Sequence, residues 1–189
     1  MSFRSPPATA CWQHRGARSG FEVAYFSARE PGWRIDGTTA AIEDAQTWIV
    51  TYRIELDATW ATRSALITAR TSAGTHETLL ESDGAGRWLV DGDPAPHLDG
   101  CLDVDLESSA MTNTLPVHRL DPQARVDAPA AYVRALTLTA ERLDQVYERI
   151  GAEHRQYDYA APSFGFTARL AYDDSGLVID YPGIAVRAG

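Results

Sequence analysis

The sequence predicts an all-β chain folded as a large, curved antiparallel sheet or incomplete barrel. Three observations carry the prediction. Segments in which apolar and polar residues alternate follow one another along most of the chain, and that period of two marks a half-buried strand. Turn-forming residues punctuate them at roughly 8–12-residue intervals, the spacing of an all-β sandwich, roll or barrel. The pattern Trp-x-[Ile/Val]-Asp-Gly occurs twice, at Trp33–Gly37 and Trp88–Gly92. A second echo relates Met111–Pro116 and Arg119 to Leu177–Pro182 and Arg187. The 189 residues are read as one domain; the echoes fit either a duplicated β unit, with halves about 1–120 and 130–189, or a coincidence of hairpins that reuse a limited turn chemistry.

Taken in order, Phe21–Ser27 is dense in β-forming residues and stops before Pro31-Gly32. Trp33–Gly37 reads as a short strand closing on an Asp-Gly turn. Thr47–Asp57 alternates, with Tyr52, Ile54 and Leu56 on one side and Arg53, Glu55 and Asp57 on the other. Trp60–Thr71 and Thr75–Glu81 are further β-like runs separated by Ser72-Ala73-Gly74, and Asp83–Gly86 turns the chain into Arg87–Gly92. Asp93–Gly100, with two prolines, reads as a surface connection.

Cys101–Leu120 is the stretch around which the chain is organised. It opens with Leu102, Val104 and Leu106 facing inward and Cys101, Asp103, Asp105 and Glu107 facing outward. Glu107-Ser108-Ser109 breaks the run, and Thr112–Leu120 follows as a second extended piece that ends at an edge, a bulge or a corner because Pro116 cannot donate to a ladder. Asp121–Pro129 resembles a linker and Ala131–Thr139 a strand. Within Thr139–Glu153, Leu143, Val146, Tyr147 and Ile150 stand at helical spacing, so periodicity favours an amphipathic helix. Gln156–Tyr159, Ser163–Tyr172 and Leu177–Tyr181 return to β character, the last two joined by the hairpin turn Asp173–Gly176.

Composition removes several function classes. With 17 basic against 26 acidic residues the net charge is −9, which repels phosphate backbones and anionic membranes and argues against a nucleic-acid partner. Every basic residue is arginine, as a GC-rich coding sequence produces. No run approaches the roughly 20 apolar residues of a membrane span, and the start shows no export signal. Cys11 and Cys101 lack metal-ligand spacing and read as thiols. The expected compartment is the cytoplasm.

Motifs for catalysis are missing too. Asp103, Asp105 and Glu107 could hold a hard cation or act as an acid/base pair, but no complete oxygen-ligand spacing follows, and alternating acids also make an ordinary solvated strand face. No histidine stands at ligand spacing to another. Gly16–Gly20 carries its serine one place late for a nucleophile elbow, and no phosphate-binding glycine pattern occurs. The expectation is no cofactor, no metal and no catalytic set. What recurs is aromatic residues beside arginine: Trp33-Arg34, Tyr52-Arg53, Trp60 with Arg63, and Tyr181 with Arg187. Guanidinium forks bind polar heads and aromatic faces pack on apolar or sugar surfaces, although each pair is also ordinary for a core aromatic beside a surface arginine.

At Leu102-Asp103-Val104-Asp105, Thr112-Asn113-Thr114-Leu115-Pro116 and Arg119-Leu120 the chain resembles a bacterial glycolipid-binding family long filed as a domain of unknown function. The likeness extends through Trp12, Phe21-Glu22, Tyr52-Arg53-Ile54, Asp57, Trp60 and Arg63. Near the end it takes in Gln145, Tyr147, Tyr157, Tyr159, Phe166, Asp173, Gly176-Leu177-Val178 and Tyr181-Pro182. Two positions depart from it: Ala110, where proline is usual, and His118, where arginine is usual. The resemblance implies a curved antiparallel β structure like that of the lipoprotein-localisation carriers, and it implies strand rather than helix for Leu143–Ile150. It also implies non-catalytic binding of a glycolipid or other amphipathic small molecule, over an apolar floor with a polar rim. The ligand-binding candidates are Arg53, Trp60, Arg63, Asp103, Asp105, Asn113, Arg119 and Tyr181. Asn113 is expected to tie the edge together or meet a sugar hydroxyl, and Arg119 to pair with Asp103, Asp105 or a ligand phosphate. The rivals are an enzyme acting on a small polar metabolite through Glu22, Asp103 and Asp105, and a module holding a partner protein on its curved face.

Overall fold

The computed structural model describes residues 3–119, 125–151 and 155–188. Strands β1 (Thr9–His14), β2 (Arg18–Arg29), β3 (Gly32–Glu43), β4 (Gln46–Leu56), β5 (Thr62–Thr71) and β6 (Gly74–Ser82) form an up-and-down meander, extended by the short β7 (Trp88–Val90) and β8 (Asp93–Pro94). Its strands alternate as the sequence does: in β4, Trp48, Val50, Tyr52, Ile54 and Leu56 are buried while Ile49, Thr51 and Arg53 face out. The chain then makes a 3-10 turn at Pro96–Leu98, enters β9 (Asp103–Leu106), and passes through a second 3-10 turn, Met111–Asn113, into α1 (Thr114–Arg119). Eight strands complete it: β10 (Arg125–Asp127), β11 (Ala130–Val133), β12 (Ala140–Leu143), β13 (Val146–Ile150), β14 (Gln156–Ala161), β15 (Phe166–Tyr172), β16 (Val178–Tyr181) and β17 (Ala185–Ala188).

Fourteen strands form one sheet in the order β10-β13-β14-β15-β16-β17-β1-β2-β3-β4-β5-β6-β7-β8, in which chain neighbours pair antiparallel. The sheet is large and antiparallel, as expected, and is not closed into a barrel. A smaller sheet, β12-β11-β9, holds β11 parallel to β9 and antiparallel to β12. The two sheets share a ribbon. β10 runs on into β11 and β12 into β13, and the ribbon bends between them, where the Ala128 N–H donates to the Gln145 carbonyl at 2.8 Å. The bent part reaches back to the connection after β8, where Arg142 Nη1 donates to the Asp99 carbonyl at 2.6 Å.

Several local expectations change. Asp36-Gly37 is no turn but the middle of β3, opposite Arg53 and Tyr52. Glycine is needed there because the Tyr52 ring lies against it, and an added Cβ would stand 2.1 Å from a ring carbon. Asp91-Gly92 is the real turn, with φ of 53° and 86°. The repeated pentapeptide therefore serves two different structures. Met111–Arg119 is helical where its echo Leu177–Arg187 is two strands and a turn. Thr112–Arg119 is thus not extended: Pro116 sits in the first turn of α1, where its missing N–H breaks no bond, so the residue that marked an edge marks a helix start. Ala131–Thr139 keeps strand geometry only to Val133 before turning, the Arg134 N–H meeting the Thr139 carbonyl at 3.0 Å. Leu143–Ile150 is strand on both sides of the ribbon's bend, and Leu143, Val146 and Tyr147 are all buried at a spacing that imitates a helix. Leu120, residues 121–124 of the expected linker, and residues 152–154 lie outside the described residues; Arg125–Asp127 of that linker is β10.

The core fills the concavity. Cys101, Val104, Ala110, Met111 and Leu115 are all at 0% exposure, and every residue of β9 is buried. Asp103 and Asp105 therefore do not form a solvated face. β9 lies inside the curve of the large sheet with β11 beside it, so both of its faces are covered. Among the described residues no helix is long and apolar enough to cross a membrane.

Candidate ligand-binding cavity

Three buried carboxylates hold the central stretch in place, each with a different set of partners. Glu22 stands at an inward position of β2 between Gly20 and Ala24. One of its oxygens accepts from the Tyr52 hydroxyl (2.7 Å) and from the Ser109 hydroxyl; the other accepts from the N–H groups of Ala110 (2.8 Å) and Met111 (3.3 Å). Burial raises its proton affinity, and those hydrogen bonds oppose the rise. Asp103 receives a two-pronged contact from Arg119, Nη2 at 2.6 Å and Nε at 3.1 Å; burial pushes its pKa up and Arg119 pulls it down. Asp105 accepts from the Thr112 hydroxyl at 2.8 Å and from the Gln145 side-chain amide. Its pKa is pushed up to about 6, chiefly by burial, with the charges of Asp103 and Glu107 adding and the two hydrogen bonds opposing.

Loop backbone inside a sheet has no ladder partners, so side chains stand in for them. The Thr39 hydroxyl donates to the Ser108 carbonyl at 2.7 Å and Arg18 Nη1 to the Glu107 carbonyl at 2.7 Å. The Tyr172 hydroxyl donates to the Asn113 carbonyl at 3.1 Å.

Between this stretch and the β11 and β14–β17 side lies a cavity of about 260 Å³. Its deep wall carries Asp105, Asn113, Tyr132, Tyr159 and Tyr181, none more than 8% exposed. Its mouth carries Arg15, Ala17, Ile184 and Phe164, the last 44% exposed. Phe164 meets Tyr132 edge-on at 5.3 Å, and the Arg134 guanidinium lies over both rings at 5.2–5.3 Å. Asn113 Oδ1 accepts from the Tyr147 hydroxyl at 2.9 Å, while its NH2 group has no hydrogen-bond partner among the described residues. Arg18, which also lines the cavity, is engaged by the Glu107 carbonyl, by Glu43 at 3.4 Å and by the Trp48 ring at 5.3 Å.

Of the sequence candidates, the structure brings Asp105, Asn113 and Tyr181 together on the cavity wall. Asp103 and Arg119 pair with each other outside it. Trp60 stacks on His118 with ring centroids 3.7 Å apart. Arg53 and Arg63 are exposed, and Arg53 Nε contacts Asp36 at 2.9 Å on the outer face. The sequence reading missed Tyr132, Tyr159 and Phe164 as cavity residues. Tyr159 had a usable signal, since it alternates with Tyr157 on the buried side of β14. Phe164 had none, because it sits in a single 3-10 turn, Pro162–Phe164.

Fold and cavity together define a curved-sheet β protein whose concavity holds a central stretch of chain and a small aromatic and polar chamber. Residues 9–187 match the family described as "Putative glycolipid-binding", and the chain belongs to that family. It is similar to the crystal structure of a DUF1089 family protein from Pseudomonas aeruginosa, at 30% identity and TM-score 0.78, over 98% of this chain and 95% of the other. It is also similar in fold to a β-barrel-like protein of the domain of unknown function DUF1849 from Brucella abortus, at 11% identity and TM-score 0.55, over 98% and 96% of the two chains. No curated protein sequence matches it.

Proposed function

We propose that the protein binds an amphipathic molecule, a glycolipid or related lipid, in this cavity without transforming it. The observation that carries the reading is the combination of aromatic walls with an unpartnered amide on Asn113, a residue only 4% exposed. Aromatic faces take apolar or sugar surfaces, and an amide on the cavity wall with no internal acceptor is left to donate to whatever occupies the cavity. Asp105, Asn113 and Tyr181 are the proposed contacts among the sequence candidates. The family's description points the same way. Against an enzyme working through Glu22, Asp103 and Asp105 stands the fact that Glu22 and Asp103 do not line the cavity and accept from internal donors. Only Asp105 of the three lines it.

Native mass spectrometry of protein purified without detergent, followed by organic extraction, tests the reading. A bound lipid-sized mass that disappears in Tyr181→Ala is expected. Empty protein that turns over a small polar metabolite, with turnover lost in Asp105→Asn, would favour the enzyme instead.

A further inference from the structure

We infer that the ligand enters this cavity polar end first, and that its buried end is an uncharged, hydroxylated group such as a sugar ring. The inference rests on the binding reading above and adds which end is buried and what charge it carries. Size is the first argument. Ordinary ligand pockets run to roughly 300–1,000 Å³, so a chamber of about 260 Å³ takes one end of an amphipath and leaves the other outside.

The second argument is how the lining is sorted by depth. The polar groups, Asp105 and the free amide of Asn113, are on the buried wall, whereas the exposed Phe164 and the half-buried Ile184 supply apolar surface at the mouth. An alkyl chain driven inward would cover the Asn113 amide with hydrocarbon and leave it without an acceptor. A hydroxylated ring gives that amide an acceptor and donates to the lone pairs of Asp105 that Thr112 and Gln145 leave open. The chain of such a ligand then runs out over Phe164.

The third argument is charge. An anionic head would face the carboxylates of Asp105 and Glu107. The cations beside them are already engaged, Arg134 by Glu107 at 3.4 Å and Glu141 at 2.7 Å, and Arg18 by Glu43 and the Glu107 carbonyl. The Arg15 guanidinium has no partner among the described residues, but it is exposed at the mouth, where an ion pair is weak and screened. A cationic head must pass Arg15 and Arg18 to reach Asp105. The neutral hydroxylated head meets none of these penalties.

Fluorescence titration of the full chain with decyl β-glucopyranoside, decyl phosphate and decyltrimethylammonium, each below its micelle concentration, tests the inference. The glucoside should bind at least tenfold more tightly than either charged compound, and methyl glucoside should displace it. Asn113→Asp keeps the oxygen that Tyr147 uses but removes the amide donors, and should weaken the glucoside at least fivefold. Phe164→Ala, a surface change independent of Asn113, should weaken the decyl compound and leave methyl glucoside unaffected. A charged head that binds as well or better, a glucoside indifferent to Asn113→Asp, or methyl glucoside failing to compete overturns this inference and leaves the binding reading standing. Failure of all three amphipaths to bind removes the binding reading, and this inference with it.

Discussion

Strands β2–β6 and the stretch Cys101–Arg119 are buried by different rules. In the meander each strand keeps one face in and one face out, so the inward side is almost wholly apolar and Glu22 is an exception. In the central stretch nearly everything is in, including Asp103, Asp105, Ser108, Thr112 and Asn113. The meander gets its backbone hydrogen bonds from the neighbouring strand. The central loop gets them from side chains such as Thr39, Arg18 and Glu22, and its own polar side chains are satisfied the same way. The meander is held by repetition and tolerates local change; the central stretch is held by particular pairs, each of which leaves a buried group stranded when broken.

The largest effect should come from the point where the two regions meet. Glu22→Ala removes the acceptor for two hydroxyls and two N–H groups at once, and the amides of Ala110 and Met111 cannot rotate to find another. At about 1–3 kcal/mol for each stranded buried donor, a loss of about 4 kcal/mol or more is expected in urea denaturation. A loss below about 1 kcal/mol would mean that the central stretch does not depend on this anchor.

Next comes the buried pair. Arg119→Ala leaves Asp103 buried without its cation and should cost about 3 kcal/mol. The double variant Asp103→Ala/Arg119→Ala should be no worse than Arg119→Ala alone, because the stranded carboxylate is gone. Simple additivity of the two losses in a double-mutant cycle would show that the pair is not coupled.

The difference between the regions also explains what could be read from the sequence. Alternation revealed the meander because one residue in two reports its own environment. The density of polar residues in Cys101–Leu120 revealed its central place. Which of those residues point inward was not legible, since their partners are remote: Asp105 meets Gln145, Asn113 meets Tyr147, and Glu22 meets Ser109. α1, at six residues, is too short for a helical period to show. The cavity shared that obscurity, because its walls come from the ends of β9, β11, β14 and β16 and become neighbours only once the sheet has curved.

A third prediction concerns protons. Asp105 binds its proton more tightly in the folded chain, at about 6, than the ordinary 3.8 of an unfolded aspartate. Its contribution to stability is therefore fully present below about pH 4 and is lost as pH rises through about 6. The groups acting on it are Asp103 on its own strand, Glu107 just beyond the strand's end, Thr112 and Gln145. His14 and His118, both lowered to about 4 by burial, work in the opposite direction below pH 6.5, but they cancel when wild type is compared with Asp105→Asn. Relative to wild type, Asp105→Asn should gain roughly 2–3 kcal/mol between pH 4 and 7. A flat difference would place the Asp105 carboxyl in contact with water.

The smallest effect belongs on the outer face of the same sheet. Arg53 is 48% exposed at its side chain and reaches Asp36 at 2.9 Å, across from the buried Tyr52–Glu22 contact but on the solvent side. Asp36 is held more firmly by Arg34, through Nε at 2.7 Å and Nη2 at 3.1 Å, so it keeps a partner when Arg53 is removed. Its lowered pKa has the same order of causes, with Arg34 first. Exposed pairs contribute little because water screens them and both side chains lose freedom. Arg53→Ala should shift the denaturation midpoint by no more than corresponds to about 0.5 kcal/mol, and less in high salt. A loss near that of Arg119→Ala would mean that the outer face is also built from particular pairs, and the contrast between the two regions would fail.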